Sequence, residues 1–196
     1  MPVSIRFRLG FALCLTALLT MNAGAQEALR ESLFAEADAA YTAAREANAA
    51  MLAPRNYERG QTASDSAQEA LGRGRNVETV RNRLADAKAR FNEAVASADI
   101  ARPVLANAMK TRSNAEAADA SLLSQPIWAD AEDKLASAIR ELERGDLKDG
   151  KRYTLEAESL YRDAELGAIK TRYLSETRQF HADAAHGRVE RNATKT

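Results

Sequence analysis

An all-α fold is predicted for this chain: an elongated antiparallel helical bundle, or a helical-hairpin repeat, with about five long helices in two copies of a unit of about 71 residues. Three observations predict it. The positions Trp128, Ala131, Leu135, Ala138 and Leu142 recur 71 residues earlier as Tyr57, Gly60, Ser64, Ala67 and Leu71. Both sets are spaced three and four apart, which is the period of one helix face. Each copy then has a glycine turn (Gly74, Gly145) and a second seam, Phe91, Ala94 and Ala98 against Tyr161, Ala164 and Ala168, now offset by 70. One residue has therefore been lost near the turn. Hydrophobic residues make up 45% of the chain but aromatics only 6%, with alanine supplying much of the rest. Such a core must be thin, with helices packed close over small side chains.

The first helix is expected from Glu27 to Leu52, with Phe34, Ala37, Tyr41, Ala44 and Met51 on one face. Pro54 stops it, because proline lacks the backbone donor and biases Ala53 away from helical geometry. Arg55 to Leu71 forms the second helix, ended by Gly72-Arg73-Gly74. Asn76 is placed to cap the third, with Glu78 favourable to its dipole. The face of this third helix runs through Val80, Leu84, Ala87, Phe91, Ala94 and Ala98 to Pro103, which should kink or break it. Where the helix resumes, Leu105, Ala108 and Leu122 repeat Phe34, Ala37 and Met51 at an offset of 71, so the second copy begins inside this long helix. Ser124-Gln125-Pro126 is the next break, and Ile127 to Arg144 is the strongest helix. Gly145 can take the left-handed cap, with Asp146 as the next N-cap and Asp149 in the capping-box position. The last helix should run from Leu147 to about Leu174 through Leu155, Ala157, Leu160, Tyr161, Ala164, Ala168 and Ile169. The chain is thus divided into a leader at 1–25, repeats at 26–102 and 103–175, and a flexible, solvated tail at 176–196.

The leader reads as an export signal. Arg6 and Arg8 precede an apolar run from Leu9 to Thr20, and Ala23-Gly24-Ala25 places small residues ahead of Gln26, so cleavage is expected between Ala25 and Gln26. The run is too short to span a bilayer comfortably, which takes about 20 residues. Cys14 is the only cysteine and lies in that run, so the mature chain would hold no disulfide, thiolate nucleophile or cysteine metal site. A short signal without cysteines fits the Gram-negative periplasm, with a peripheral place at the outer membrane as the narrower option. Beyond the leader, 26 basic and 28 acidic residues leave a net charge of −2. That balance argues against nucleic-acid binding, which needs a basic stripe to neutralise phosphates.

The residues offer little chemistry. His181 and His186 are five apart, about 140° around a helix, so they cannot chelate from one face. No P-loop, G-x-S-x-G, G-x-G-x-x-G or H-E-x-x-H pattern is present. Glu141, Glu143, Asp146 and Asp149 flank a helix end, where capping and solvation account for them, and Arg73 and Arg75 read as a solvated turn. No catalytic, cofactor-binding or metal-binding residue is therefore assigned, and no enzymatic activity or cofactor is expected. Tyr57 and Trp128 hold the same place in both copies, just after a proline, and read as aromatic wedges closing each bundle. Together with Leu135, Leu142, Phe91 and Tyr161 they are the residues expected to carry structure and association.

The run Leu123-Ser124-Gln125-Pro126-Ile127-Trp128, followed by Ala131, Leu135, Ala138, Leu142, Gly145-Asp146, Ala157 and Ala164, resembles the alanine-rich helical domain of unknown function in Gram-negative envelope proteins. The resemblance covers roughly residues 30 to 175 as two copies. In that family the domain often precedes an outer-membrane-protein-A-like peptidoglycan-binding domain. Here no such module is read after Leu174, which gives wall anchoring no support. The resemblance implies a non-enzymatic envelope scaffold or protein-interaction module, its amphipathic helices pairing with an envelope protein or with another copy of itself. A periplasmic holdase-type chaperone or a tetratricopeptide-like adaptor is the alternative.

Overall fold

The computed structural model describes the backbone of residues 9–193 and the side chains of residues 27–184. Seven helices are found among the described residues: α1 (Leu9–Glu46), α2 (Ala49–Leu52), α3 (Pro54–Gly72), α4 (Val77–Ala117), α5 (Ala120–Leu123), α6 (Gln125–Glu143) and α7 (Leu147–Ala193). Five are long, and no strand occurs among the described residues. The side chains of the expected export signal and its cleavage position, Ala25 and Gln26, lie outside the described residues.

The duplication is written into the backbone. The short helices α2 and α5 are 71 residues apart, and so are the two 19-residue helices α3 and α6. Four described residues have positive φ: Asn48 (57°), Gly74 (67°), Asp119 (59°) and Gly145 (86°). They form two pairs at the same offset. At Gly74 the amide of Arg75 bonds Ala70 O (2.9 Å) and that of Gly74 bonds Leu71 O (3.0 Å). At Gly145 the amide of Asp146 bonds Glu141 O (2.8 Å) and that of Gly145 bonds Leu142 O (3.0 Å). This is the doubly bonded C-terminal cap that a left-handed glycine makes possible. In copy one Asn76, two residues past the glycine, accepts the amide of Thr79 (2.8 Å). In copy two Asp146, directly after it, accepts those of Lys148 (3.1 Å) and Asp149 (3.0 Å). The equivalent of Arg75 is the residue that was lost.

The left-handed turns at Asn48 and Asp119 replace the unbroken first helix expected to Leu52. Asn and Asp tolerate this conformation better than other residues with a Cβ. Each turn resets the phase of the helix, so the face extrapolated from Phe34 and Leu105 misses. Met51 and Leu122, expected on the buried seam, are instead exposed (38% and 78%), and Ala49 and Ala120 are enclosed in their place.

Pro103 neither breaks nor ends α4, which continues to Ala117. The ring lies on the exposed side, as does Asp99, the residue whose carbonyl Pro103 cannot bond. On the opposite side Ala98, Ala101, Leu105 and Ala108 are all fully buried and hold the helix through the defect.

The chain divides into two compact units, Met1–Ala50 with Pro54–Val95, and Met51–Ala53 with Ala96–Thr196. In the first, Phe34, Ala37, Ala44, Tyr57, Ala67, Val80, Leu84, Ala87, Phe91 and Ala94 are buried. In the second, Leu105, Ala108, Ala131, Leu135, Ala138, Leu142, Ala157, Tyr161, Ala164 and Ala168 are. From Ala131 to Leu142 the first seam of copy two is buried throughout, whereas Ser64 and Leu71 of copy one are only half-buried. Backbones come close where the sequence permits. A Cβ on Gly60 would lie 2.6 Å from the Phe91 ring, and one on Gly150 2.5 Å from Leu142 Cδ2. Among the described residues no buried side-chain polar atom lacks a hydrogen-bond partner.

Helix α7 differs from expectation in length and in facing. It continues past Leu174 to Ala193. Its buried side runs through Gly150, Thr154, Ala157, Tyr161, Ala164 and Ala168, while Leu155 (66%) and Ile169 (50%), expected on that seam, point outward. Counted back 70 residues, the buried Ala101, Leu105 and Ala108 of α4 correspond to Thr171, Ser175 and Arg178 of α7, all exposed. The inward seam stops at Ala168.

Candidate functional site

Two features stand out against this alanine-lined background: a cluster at one place in each copy, and the outer face of α7. In copy one the cluster is built on three rings, with the Arg45 guanidinium 5.8 Å from the Tyr41 centroid. Tyr41 of α1, Tyr57 of α3 and Phe91 of α4 meet with ring centroids 6.0, 5.3 and 5.9 Å apart. Phe91 is 1% exposed and seats its ring over Gly60. Burial, and then the neighbouring Tyr41 hydroxyl, push the Tyr57 phenol up.

In copy two the equivalent positions are Arg112, Trp128 and Tyr161, and the cluster is partly polar. Trp128 and Tyr161 meet edge to face at 5.4 Å, and the Arg112 guanidinium lies 5.2 Å from the indole centroid. The Tyr161 hydroxyl donates to Glu132 Oε1 (2.6 Å), which also accepts Arg112 Nε (2.7 Å). Arg112 reaches Glu116 as well, at 3.5 Å. Burial, and then the hydrogen bond to Glu132, push the Tyr161 phenol far up, and the same carboxylate holds Arg112 above its ordinary value. Tyr161 is fully buried, whereas Trp128 is half-buried. The enclosed ring is therefore Tyr161, and Trp128 forms the rim of the cluster rather than a fully enclosed wedge.

A second set of charges decorates the α6–α7 seam. Lys134 Nζ donates to Glu156 Oε2 (2.6 Å), which lowers that carboxyl, and Arg152 donates to Glu156 Oε1 (2.8 Å). Both cations lie over the Tyr153 ring, Lys134 Nζ 5.4 Å and Arg152 Cζ 3.9 Å from its centroid. In copy one, Arg83 instead donates to Ser66 O (2.7 Å) and Oγ (2.5 Å).

The aromatic residues predicted from the sequence are thus brought together in pairs: Tyr57 with Phe91 and Trp128 with Tyr161. Leu135 and Leu142 are core residues at 6% and 1% exposure. Arg112 and Glu132 were not legible as cluster members, because nothing in their spacing distinguishes them from other solvated charges. Asp146 caps α7, Glu141 pairs with Arg144, and Asp149 with Arg152, as expected of charges at helix ends. His181 is exposed against Phe180, with centroids 6.1 Å apart; the side chain of His186 lies outside the described residues. Among the described residues no three of His, Cys, Asp and Glu converge to hold a metal ion.

On the outer face of α7, Leu155 (66%), Leu166 (50%), Ile169 (50%), Tyr173 (70%) and Phe180 (71%) are all exposed. At 3.6 residues per turn they fall within an arc of about 60° along one side of the helix, opposite the buried alanines. From Thr171 to Ala184 every residue is exposed except Thr177 and Ala184, which are partly covered. No helix among the described residues is long and apolar enough to cross a membrane. Comparison with protein families, characterised proteins and solved structures finds no match to this chain.

Proposed function

We propose that this chain is a non-enzymatic helical scaffold or protein-interaction module of the Gram-negative cell envelope, exported by a cleavable signal peptide and working through a helix face rather than a reaction centre. The observation that carries this reading is the second apolar face of α7. A helix buried on one side by its own bundle needs only that side to be apolar. The outward row from Leu155 to Phe180 adds nothing to the monomer's core, and exposed apolar rows of this kind mark contact surfaces. The resemblance of roughly residues 30 to 175 to the alanine-rich envelope domain supports the compartment.

The reading is tested by placing a photoreactive residue at Tyr173, in cells, and identifying what it captures. One or a few discrete species, lost when the same probe is moved to the inward Ala157, are expected. Capture of a broad population of unfolded outer-membrane chains would replace this reading with a holdase. Absence of any adduct at Tyr173 would overturn it.

A further inference from the structure

The outward row of α7 has a register, and the register selects a partner. Leu166, Ile169, Tyr173 and Phe180 fall on alternating three- and four-residue steps once Glu176 is counted, and the same steps run back through Arg162 and Ser159 to Leu155. This is a heptad seam about 38 Å long, enough for a two-helix contact. We propose that the seam is a two-fold, antiparallel self-association surface, pairing α7 of one copy with α7 of a second copy of this chain. The proposal rests on the reading of the protein as an interaction module and names its partner.

Charge and side-chain matching carry the choice. With the two-fold axis crossing α7 at the level of Gly167 and Ala168, Leu166 meets Ile169 of the second copy, Leu155 meets Phe180, and Arg162 meets the ring of Tyr173, a favourable cation–π pair. Ser159 meets Glu176, which places no like charges in contact. On one flank Asp163 lies opposite Lys170 of the second copy, both exposed. On the other, Glu165 lies opposite Arg172, which also holds Asp119 and Ala118 O within its own chain. By symmetry each pair occurs twice. The parallel, in-register alternative stacks Arg162 on Arg162 and Glu176 on Glu176 within the seam, and like charges at such a contact are strongly unfavourable. The exposure of α7 from Thr171 onward points the same way, since a helix end without tertiary cover gains little from its own hydrogen bonds and is stabilised by lateral packing.

The test uses the full chain with Cys14→Ser, so that an introduced thiol is the only one. Sedimentation at concentrations up to about 100 μM is expected to show a dimer, a range that detects even weak contacts. Lys170→Asp sets Asp163 against a carboxylate twice and should weaken association by about tenfold or more. The double exchange Asp163→Lys with Lys170→Asp should restore it, with the far-ultraviolet helix signal unchanged throughout. A mixture of Leu155→Cys and Phe180→Cys chains should form the mixed disulfide, while neither variant alone should crosslink to itself. Self-crosslinking of Leu155→Cys would overturn the antiparallel pairing. A monomer throughout the range, or a double exchange that fails to restore the dimer, would overturn the proposal. A monomer would leave the broader reading standing on the capture experiment at Tyr173.

Discussion

The two copies hold the same place in their bundles by different chemistry. Copy one closes it with three rings, Tyr41, Tyr57 and Phe91, with the Arg45 guanidinium over Tyr41; copy two closes it with two rings, Trp128 and Tyr161, and a guanidinium bonded to a carboxylate. The exchange of Tyr41 for Arg112 is coherent with its surroundings. A guanidinium packs on the indole face as a ring would, and its charge is answered by Glu132, which stands where copy one has Gln61; Tyr161, where copy one has Phe91, donates to the same carboxylate. The lesson is that a repeat specifies shape and spacing. Whether the contact is apolar or charged can vary, provided the partners change together.

The equivalence of the two clusters rests on their most enclosed rings. Phe91→Ala and Tyr161→Ala each remove a ring at 1% and 0% exposure and should each cost about 3–5 kcal/mol by denaturant midpoint. A large cost in one copy only would mean that the two clusters are not equivalent supports.

The polar members should set the two copies apart. Glu132→Ala strips the acceptor from Tyr161 and Arg112 and should cost about 1–2 kcal/mol. Gln61→Ala at the matching exposed site should stay within about 0.5 kcal/mol. Equal effects would show that the carboxylate adds nothing that the rings do not supply.

The smallest effect is on alkaline stability. The Tyr161 phenol is raised in the folded state, so above about pH 10 the unfolded chain releases this proton first and stability falls as pH rises. Tyr161→Phe should flatten that decline, leaving the part that comes from Tyr57, whose phenol burial also raises. A decline of undiminished slope in Tyr161→Phe would remove Tyr161 from the titrating set.

Much of the candidate site was open to sequence reading, and the failures were local. Phe91 and Tyr161 were legible because each sits on a seam of alanines at helical spacing. Met51 and Leu122 were misplaced because Asn48 and Asp119 look like ordinary polar residues of a helix, and only their positive φ shows that the phase resets there. Leu155 and Ile169 were misplaced because an apolar residue beside a seam is indistinguishable from one on it when the helix carries apolar residues on two sides.

The five long helices, the glycine turns, their caps and the duplication were all readable from the residues, since each depends on positions close to one another in the chain or on plain repetition of that local pattern. Tertiary structure alone decided that α4 passes intact through Pro103, that Arg112 and Glu132 join Trp128 and Tyr161, and that α7 keeps one apolar face inside and one outside. Burial and pairing depend on what stands opposite a residue in space. Residues up to 29 positions apart, as Glu132 and Tyr161 are, carry no mark of that meeting in their spacing.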